Sequence, residues 1–292
     1  MAEMQIIANG LISGAVLAVL ALGFSVVYLP CRVFHIALGG IYALAPYLAM
    51  TILRSGGGWP LAVVGSVSSA VVIGLLCELL NHRRLERRQA SSGAQLIASL
   101  GVFIILVEVV AITWGNESQT LRAGIDKVFT FGELILTRAQ TLSGALSVII
   151  LASLFVWLRY TNIGLRLRAL ADNPVEFGLR GFNVDAHRLL AFGLSGLLAA
   201  TASLLTAYDV GFDPHGGLHM LVLAVVAVLI GGRESFLGPV VGGVLLGFLR
   251  ALVVWYLSAR WQDVATFLLL ALVLYIRPGG ICGRKGRLEA DA

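Results

Sequence analysis

Three ionisable side chains stand where the surrounding sequence is apolar: His35, Glu108 and Arg250. A charge in the hydrocarbon of a bilayer costs about 2.5–3.5 kcal/mol even on the mildest scale, so such a group must face protein or water. Glu108 and Arg250 either pair with each other, or one of them lines a polar path and meets an amino or carboxyl group of a solute; failing both, they sit near helix ends and snorkel. His35, just beyond Arg32 at a helix boundary, is either a path or gating residue or an interfacial packing residue. Glu78 lies near the end of its apolar stretch and is expected to snorkel toward Arg83 or Arg84. No Ser-x-x-Lys, His-Glu-x-x-His or Gly-x-Ser-x-Gly arrangement occurs, so these groups do not read as catalytic machinery. Gly279-Gly280-Ile281-Cys282-Gly283-Arg284-Lys285 has neither the spacing nor the Ser/Thr of a phosphate-binding loop. Cys31, Cys77 and Cys282 are too scattered for a disulfide framework or a zinc site, and the Asp209, Asp213, His215 turn is a weak metal candidate. Neither metal nor cofactor is expected.

The elements that must carry these residues are membrane helices. Apolar residues make up 58% of the chain and charged residues 13%, about half the share that solvates an ordinary soluble domain. The mean hydropathy is +0.91. Nine stretches approach the roughly 20 apolar residues that cross a bilayer: 6–29, 36–53, 60–80, 94–114, 141–159, 188–208, 218–231, 239–257 and 263–276. The seventh and ninth are short, and are tilted, buried in protein or re-entrant. The expected fold is therefore an all-α polytopic bundle of about 8–9 transmembrane helices, some short or broken, forming one domain over 1–292. The start of the chain lacks a basic n-region, so a cleaved signal peptide is not expected.

The net charge of +5 could point to nucleic acid, but the basic residues sit in short gaps between apolar runs, which is the pattern of membrane topology. Arg83, Arg84, Arg87 and Arg88 follow the third stretch. Arg166, Arg168 and Arg180, flanked by Arg159 and Arg188, follow the fifth, and Arg284, Lys285 and Arg287 close the chain behind Arg277. Basic gaps face the cytoplasm, which puts the N-terminus outside and the C-terminus inside. The segment 115–140, with Arg122, Lys127 and Arg138 balanced by Glu117, Asp126 and Glu133, then faces outward. Its Phe129, Phe131, Leu134 and Leu136 around Gly132 predict a small hairpin or a surface helix, either a cap on the path or a packed connector.

The inward segment 160–187 specifies a short helix. Asn173 suits the N-cap and Pro174 the first helical position. Glu176 stands where a capping box places its acid, and Gly181 can stop the helix. Two turns are marginal alone in water, so Val175, Phe177 and Leu179 are expected to dock on the rest of the chain or on another protein. Gly238 with Gly242, and Gly243 with Gly247, are spaced for close helix contact. Gly231-Gly232 and Gly238-Pro239 bracket a break between two helices, a feature that often borders a permeation path.

These motifs together resemble a known family. Arg168-Ala169-Leu170-Ala171-Asp172-Asn173-Pro174 with Gly181-Phe182-Asn183-Val184-Asp185, then 191–200, Gly231-Gly232 through Gly247, the terminal Arg277-Pro278-Gly279-Gly280-Ile281-Cys282-Gly283 and the N-terminal 9–23 are similar to permeases of the LivH/LivM type. Those belong to ATP-binding cassette importers of branched-chain amino acids. The resemblance implies that Asp172, Asn173, Pro174, Val175, Glu176, Phe177, Gly178, Leu179, Arg180 and Gly181 couple the chain to an ATPase subunit. It also implies a second homologous permease, two ATP-binding subunits, a periplasmic substrate-binding protein and a place in the bacterial inner membrane. Two departures bear on the substrate. The family's His position is Leu38 within His35-Ile36-Ala37-Leu38-Gly39, and Arg250 stands where an acidic residue is expected. The alternative is an ion-coupled secondary transporter with Glu108 as its titrating group.

Overall fold

A computed structural model describes residues 2–283 apart from 123, 125–127, 132 and 133. Asp126, Lys127, Gly132, Glu133 and the basic residues Arg284, Lys285 and Arg287 used above lie outside the described residues. The chain runs α1 (Ala2–Cys31), α2 (Ala37–Arg54) and α3 (Trp59–Leu76), which continues through a π-helical turn (Cys77–His82) into α4 (Arg83–Arg87). Next come α5 (Ser92–Trp114), a hairpin of β1 (Val128–Phe131) and β2 (Leu134–Thr137), and α6 (Arg138–Tyr160). Two short helices, α7 (Asn162–Asp172) and α8 (Pro174–Leu179), precede α9 (Val184–Asp209), α10 (Gly216–Gly231), α11 (Gly238–Tyr256) and α12 (Gln262–Ile276). Eight of these segments are long and apolar enough to span a membrane, and α10, with 16 residues, is the short ninth. The polytopic helical bundle expected from the apolar runs is the fold.

α1 is the hub. It is apolar on every face and packs most extensively on α11, then on α9, α10 and α6. Ala18, Val19, Ala21 and Leu22 have no exposed surface. The glycines of α11 set how close these helices come. A Cβ on Gly243 would stand 2.7 Å from Ala18 Cα, and one on Gly247 would meet the backbone of Gly14. On the other side of the helix, a Cβ on Gly242 would run into the Ala227 carbonyl of α10. Where lipid replaces water, contact of this kind drives helix association. The break between the two glycine pairs is real: α10 ends at Gly231, Gly232 has φ +116°, and Pro239 sits in the first turn of α11. The terminal Gly-rich segment closes this gap, because Ile281 and Cys282 donate backbone N–H bonds to the carbonyls of Ile230 and Gly231 at 2.9 and 2.8 Å. Those bonds satisfy carbonyls that the end of α10 leaves open.

The hairpin and the α7–α8 pair mark opposite ends of the bundle. Gln5, at the start of α1, donates to the Ile135 carbonyl of β2 at 2.8 Å and accepts from its N–H at 3.0 Å. α7 packs near the other end of α1, where Cys31 lies. The 115–140 segment is also stitched to the α9–α10 link by a two-bond bridge between Gln119 and Phe212.

Candidate coupling face and solute path

Local sequence builds α8 nearly as expected. Asn173 Oδ1 accepts the backbone N–H groups of Val175 and Glu176, each at 3.1 Å, and Pro174 takes the first helical position. Gly181, with φ +83°, ends the helix. The expected capping box does not form. Glu176 turns forward to Arg180 at 2.5 Å, because the Asn173 backbone N–H that it would serve already donates to the Ala169 carbonyl at 3.1 Å. Phe177 is buried, stacked on Phe182 at 4.9 Å and edge-on to His187 at 5.0 Å. Val175 and Leu179 are 72% and 83% exposed. Gly178 and Asp172 flank this face, Asp172 as the last residue of α7.

Behind α8, the first turns of α9 are clamped to the end of α3. Arg188 donates through Nε to Glu78 Oε1 at 2.7 Å and pairs with Glu86, while Arg83 pairs with Asp185. Glu78 is 1% exposed and Arg188 4%. Glu78 therefore does not snorkel toward Arg83 or Arg84: the π-helical turn aims it inward at α9. Such turns concentrate at functional positions in helices. His35, fully buried between α1 and α2, lies edge-on to His82 at 5.5 Å and to Phe192 of α9 at 4.9 Å. Its ring nitrogens have no partner among the described residues. Burial, reinforced by His82, pushes the His35 imidazole well below its usual range and keeps it neutral. Leu38 is wholly buried in the main core.

Glu108 and Arg250 do not meet. Glu108 points outward from α5 among exposed Ile104, Ile105, Val109 and Ile112. Arg250 bonds across to α12 instead, with Nη1 donating to Asp263 at 2.9 Å and Nη2 to Gln262 at 3.2 Å. Helix packing decided this: α11 lies beside α12, and sequence alone does not fix which helices adjoin. Arg250, Asp209 and His219 line a cavity of about 660 Å³ among α1, α6, α9, α10 and α11, at the end that holds the hairpin. A smaller cavity of about 200 Å³ shares Thr206, His219 and Met220 with it and leads to Tyr42 and Ser203. Asp213 caps the start of α10, accepting from His215 and Gly216 at 2.9 and 2.8 Å.

The profile of the family described as "Branched-chain amino acid transport system / permease component" matches residues 6–274. The chain belongs to this family. Relatives of the permease include the high-affinity branched-chain amino acid transport system permease protein LivH of Escherichia coli (strain K12), 28% identical with 94% of both chains covered. BraD of Pseudomonas aeruginosa, a permease protein of the same kind of system, is 27% identical over 96% of each chain. The autoinducer 2 import system permease protein LsrC of Escherichia coli O9:H4 is 27% identical over 90% of this permease and 76% of its own length. PsaBC from Streptococcus pneumoniae, solved in complex with a Fab, superposes with a TM-score of 0.53 at 12% identity, covering 93% of this permease and 91% of that chain. That likeness concerns the fold alone.

Proposed function

We propose that the permease is the membrane-spanning subunit of an ATP-driven importer of branched-chain or related small amino acids, and that α8 is the element on which an ATP-binding subunit acts. One observation carries this reading. On a six-residue helix, Phe177 roots the element in its own chain while Val175 and Leu179 present an apolar pair to whatever lies outside. Exposed apolar groups held on a deliberately capped helix are best explained by a protein that covers them. The chain has no phosphate-binding loop of its own, so hydrolysis falls to two ATP-binding subunits. A second homologous permease and a periplasmic substrate-binding protein complete the assembly in the bacterial inner membrane.

In this reading 160–187 faces the cytoplasm and 115–140 the outside, with the N-terminus out and the C-terminus in. Arg83, Arg84, Arg87 and Arg88 lie at the end of the bundle that carries α8, as inward-facing segments do. Movement of α8 reaches α9 through Phe177 packed on His187, and from α9 it reaches Glu78 of the π-helical turn and Arg83 and Glu86 of α4 through Asp185 and Arg188. His35 and His82, packed beneath that clamp against Phe192, would repack as inward- and outward-facing arrangements exchange population. The ion-coupled alternative draws no support from Glu108, which lines neither cavity.

The test is leucine uptake into proteoliposomes holding the permease with its ATP-binding and binding-protein partners. ATP-dependent uptake that disappears when 173–181 is scrambled, with insertion retained, is the expected result. Uptake by the permease alone on an ion gradient would overturn it.

A further inference from the structure

We propose that the cavity among α1, α6, α9, α10 and α11 is a binding site for a zwitterionic aliphatic α-amino acid, with Arg250 holding the carboxylate and Asp209 facing the ammonium; this rests on the reading of the chain as an amino-acid permease. Arg250 is the starting point. Its Nη1 donates to Asp263 and Thr266 at 2.9 and 3.4 Å, and its Nη2 donates once, to Gln262 at 3.2 Å. Gln262 Nε2 donates back to the Arg250 carbonyl at 3.4 Å. A guanidinium has five N–H donors. The two left over, one on Nε and one on Nη2, have no partner among the described residues. Nε and Nη2 are the adjacent pair of donors through which an arginine can grip a carboxylate by two parallel bonds. The contacts to the start of α12 fix the plane of the fork, so little freedom remains to be lost when a carboxylate arrives.

The rest of the cavity suits the rest of such a molecule. Asp209, at the end of α9, is the one carboxylate among the described lining residues. The two charges come from different helices of the lining, Asp209 from α9 and Arg250 from α11, and both helices pack on α1. Leu205, Met220 and Leu223 provide apolar surface for an aliphatic side chain. The volume of about 660 Å³ falls in the range of roughly 300–1,000 Å³ typical of small-molecule sites. The second cavity, sharing Thr206, His219 and Met220, adjoins this space and is walled by Tyr42 and Pro46 of α2, Ser203 near the end of α9 and the α9–α10 link.

Met220 lines both cavities and serves as the reporter. In full-length Met220→Cys permease in lipid nanodiscs, the rate of modification by a small methanethiosulfonate is measured with and without ligand, using the unsubstituted chain as the baseline for the native cysteines. Leucine at about ten times its Kd is expected to slow modification about tenfold. Isoamylamine, without the carboxylate, and isovalerate, without the ammonium, are expected to leave the rate unchanged. Adding Arg250→Gln should abolish protection while the unliganded rate stays the same, and Arg250→Lys should restore it in part. If the glutamine variant alters the unliganded rate, the analogue comparison on the Arg250 chain decides by itself. Equal protection by leucine and isoamylamine, or none by leucine, overturns the site. ATP-dependent leucine uptake by the assembled transporter in that case would leave the importer reading standing, so the two failures are distinct.

Discussion

Replacing Arg188 by Gln removes the cation from the clamp that joins the start of α9 to the end of α3. Two partners lose it, and they are unequal. Glu78 is 1% exposed and receives the 2.7 Å bond, whereas the Glu86 side chain is 54% exposed. Leaving a buried charge without its counter-ion costs about 3–5 kcal/mol, while an exposed pair contributes about 0–1 kcal/mol. Arg188→Gln is therefore expected to lower stability by about 3–5 kcal/mol and Glu86→Gln by less than about 1 kcal/mol. Removing both buried charges together, as Glu78→Gln with Arg188→Met, should recover most of the loss, since no buried ion is then stranded. The assay is reversible unfolding in mixed micelles titrated with sodium dodecyl sulfate, followed for all four chains at one protein concentration. If Arg188→Gln and Glu86→Gln cost the same, or if the double variant is as unstable as Arg188→Gln alone, the buried pair is not what braces α9 against α3.

Further outcomes follow from the same contacts. Gly247→Ala places a Cβ against the Gly14 backbone and should cost roughly 1–3 kcal/mol, whereas Gly101→Ala on α5, with open space around it, should be neutral or stabilising by up to about 1 kcal/mol; the same unfolding titration checks both. Asn173→Ala removes the acceptor for two N–H groups and should destabilise α8 by about 1 kcal/mol, seen as faster hydrogen exchange at Val175 and Glu176. His35 is held neutral by burial, below the value of about 6.5 of a free imidazole. The unfolded chain thus takes up the proton first, and the stability is full above about pH 6.5 and falls as the pH drops toward the folded value. The unfolding temperature should therefore fall more between pH 7.5 and 5.5 for the natural chain than for His35→Phe, with His82 beside it unchanged; equal falls would show that His35 does not report the acid sensitivity.

The spanning helices were legible because lipid demands long apolar runs, and the nine stretches align with the helices found. α8 was legible from Asn173, Pro174 and Gly181, whose backbone preferences are local. α7 falls in a basic gap between apolar runs, and its one sequence signal is the helical spacing of buried Leu167, Leu170 and Ala171. The π-helical turn carries no comparable local signature in Cys77–His82, so the inward aim of Glu78 is not legible in the sequence. The partners of Arg188 and Arg250 were not legible either. Glu78 and Arg188 are 110 residues apart in the chain, and their meeting depends on which helices adjoin and at what rotation. Arg250 was recognised as a charge needing company, but Asp263 was concealed in the first turn of the following helix.

The claim that α8 is driven by a separate ATP-hydrolysing subunit is tested most directly at Val175 and Leu179. Permease carrying Val175→Asp and Leu179→Asp is purified from membranes beside the natural chain, and the amount of ATP-binding subunit retained by each is compared. Membrane insertion and unfolding behaviour should be unchanged, because both side chains are exposed, while the ATP-binding subunits are lost. Full retention of those subunits, with undiminished ATP-dependent leucine uptake, would contradict the account.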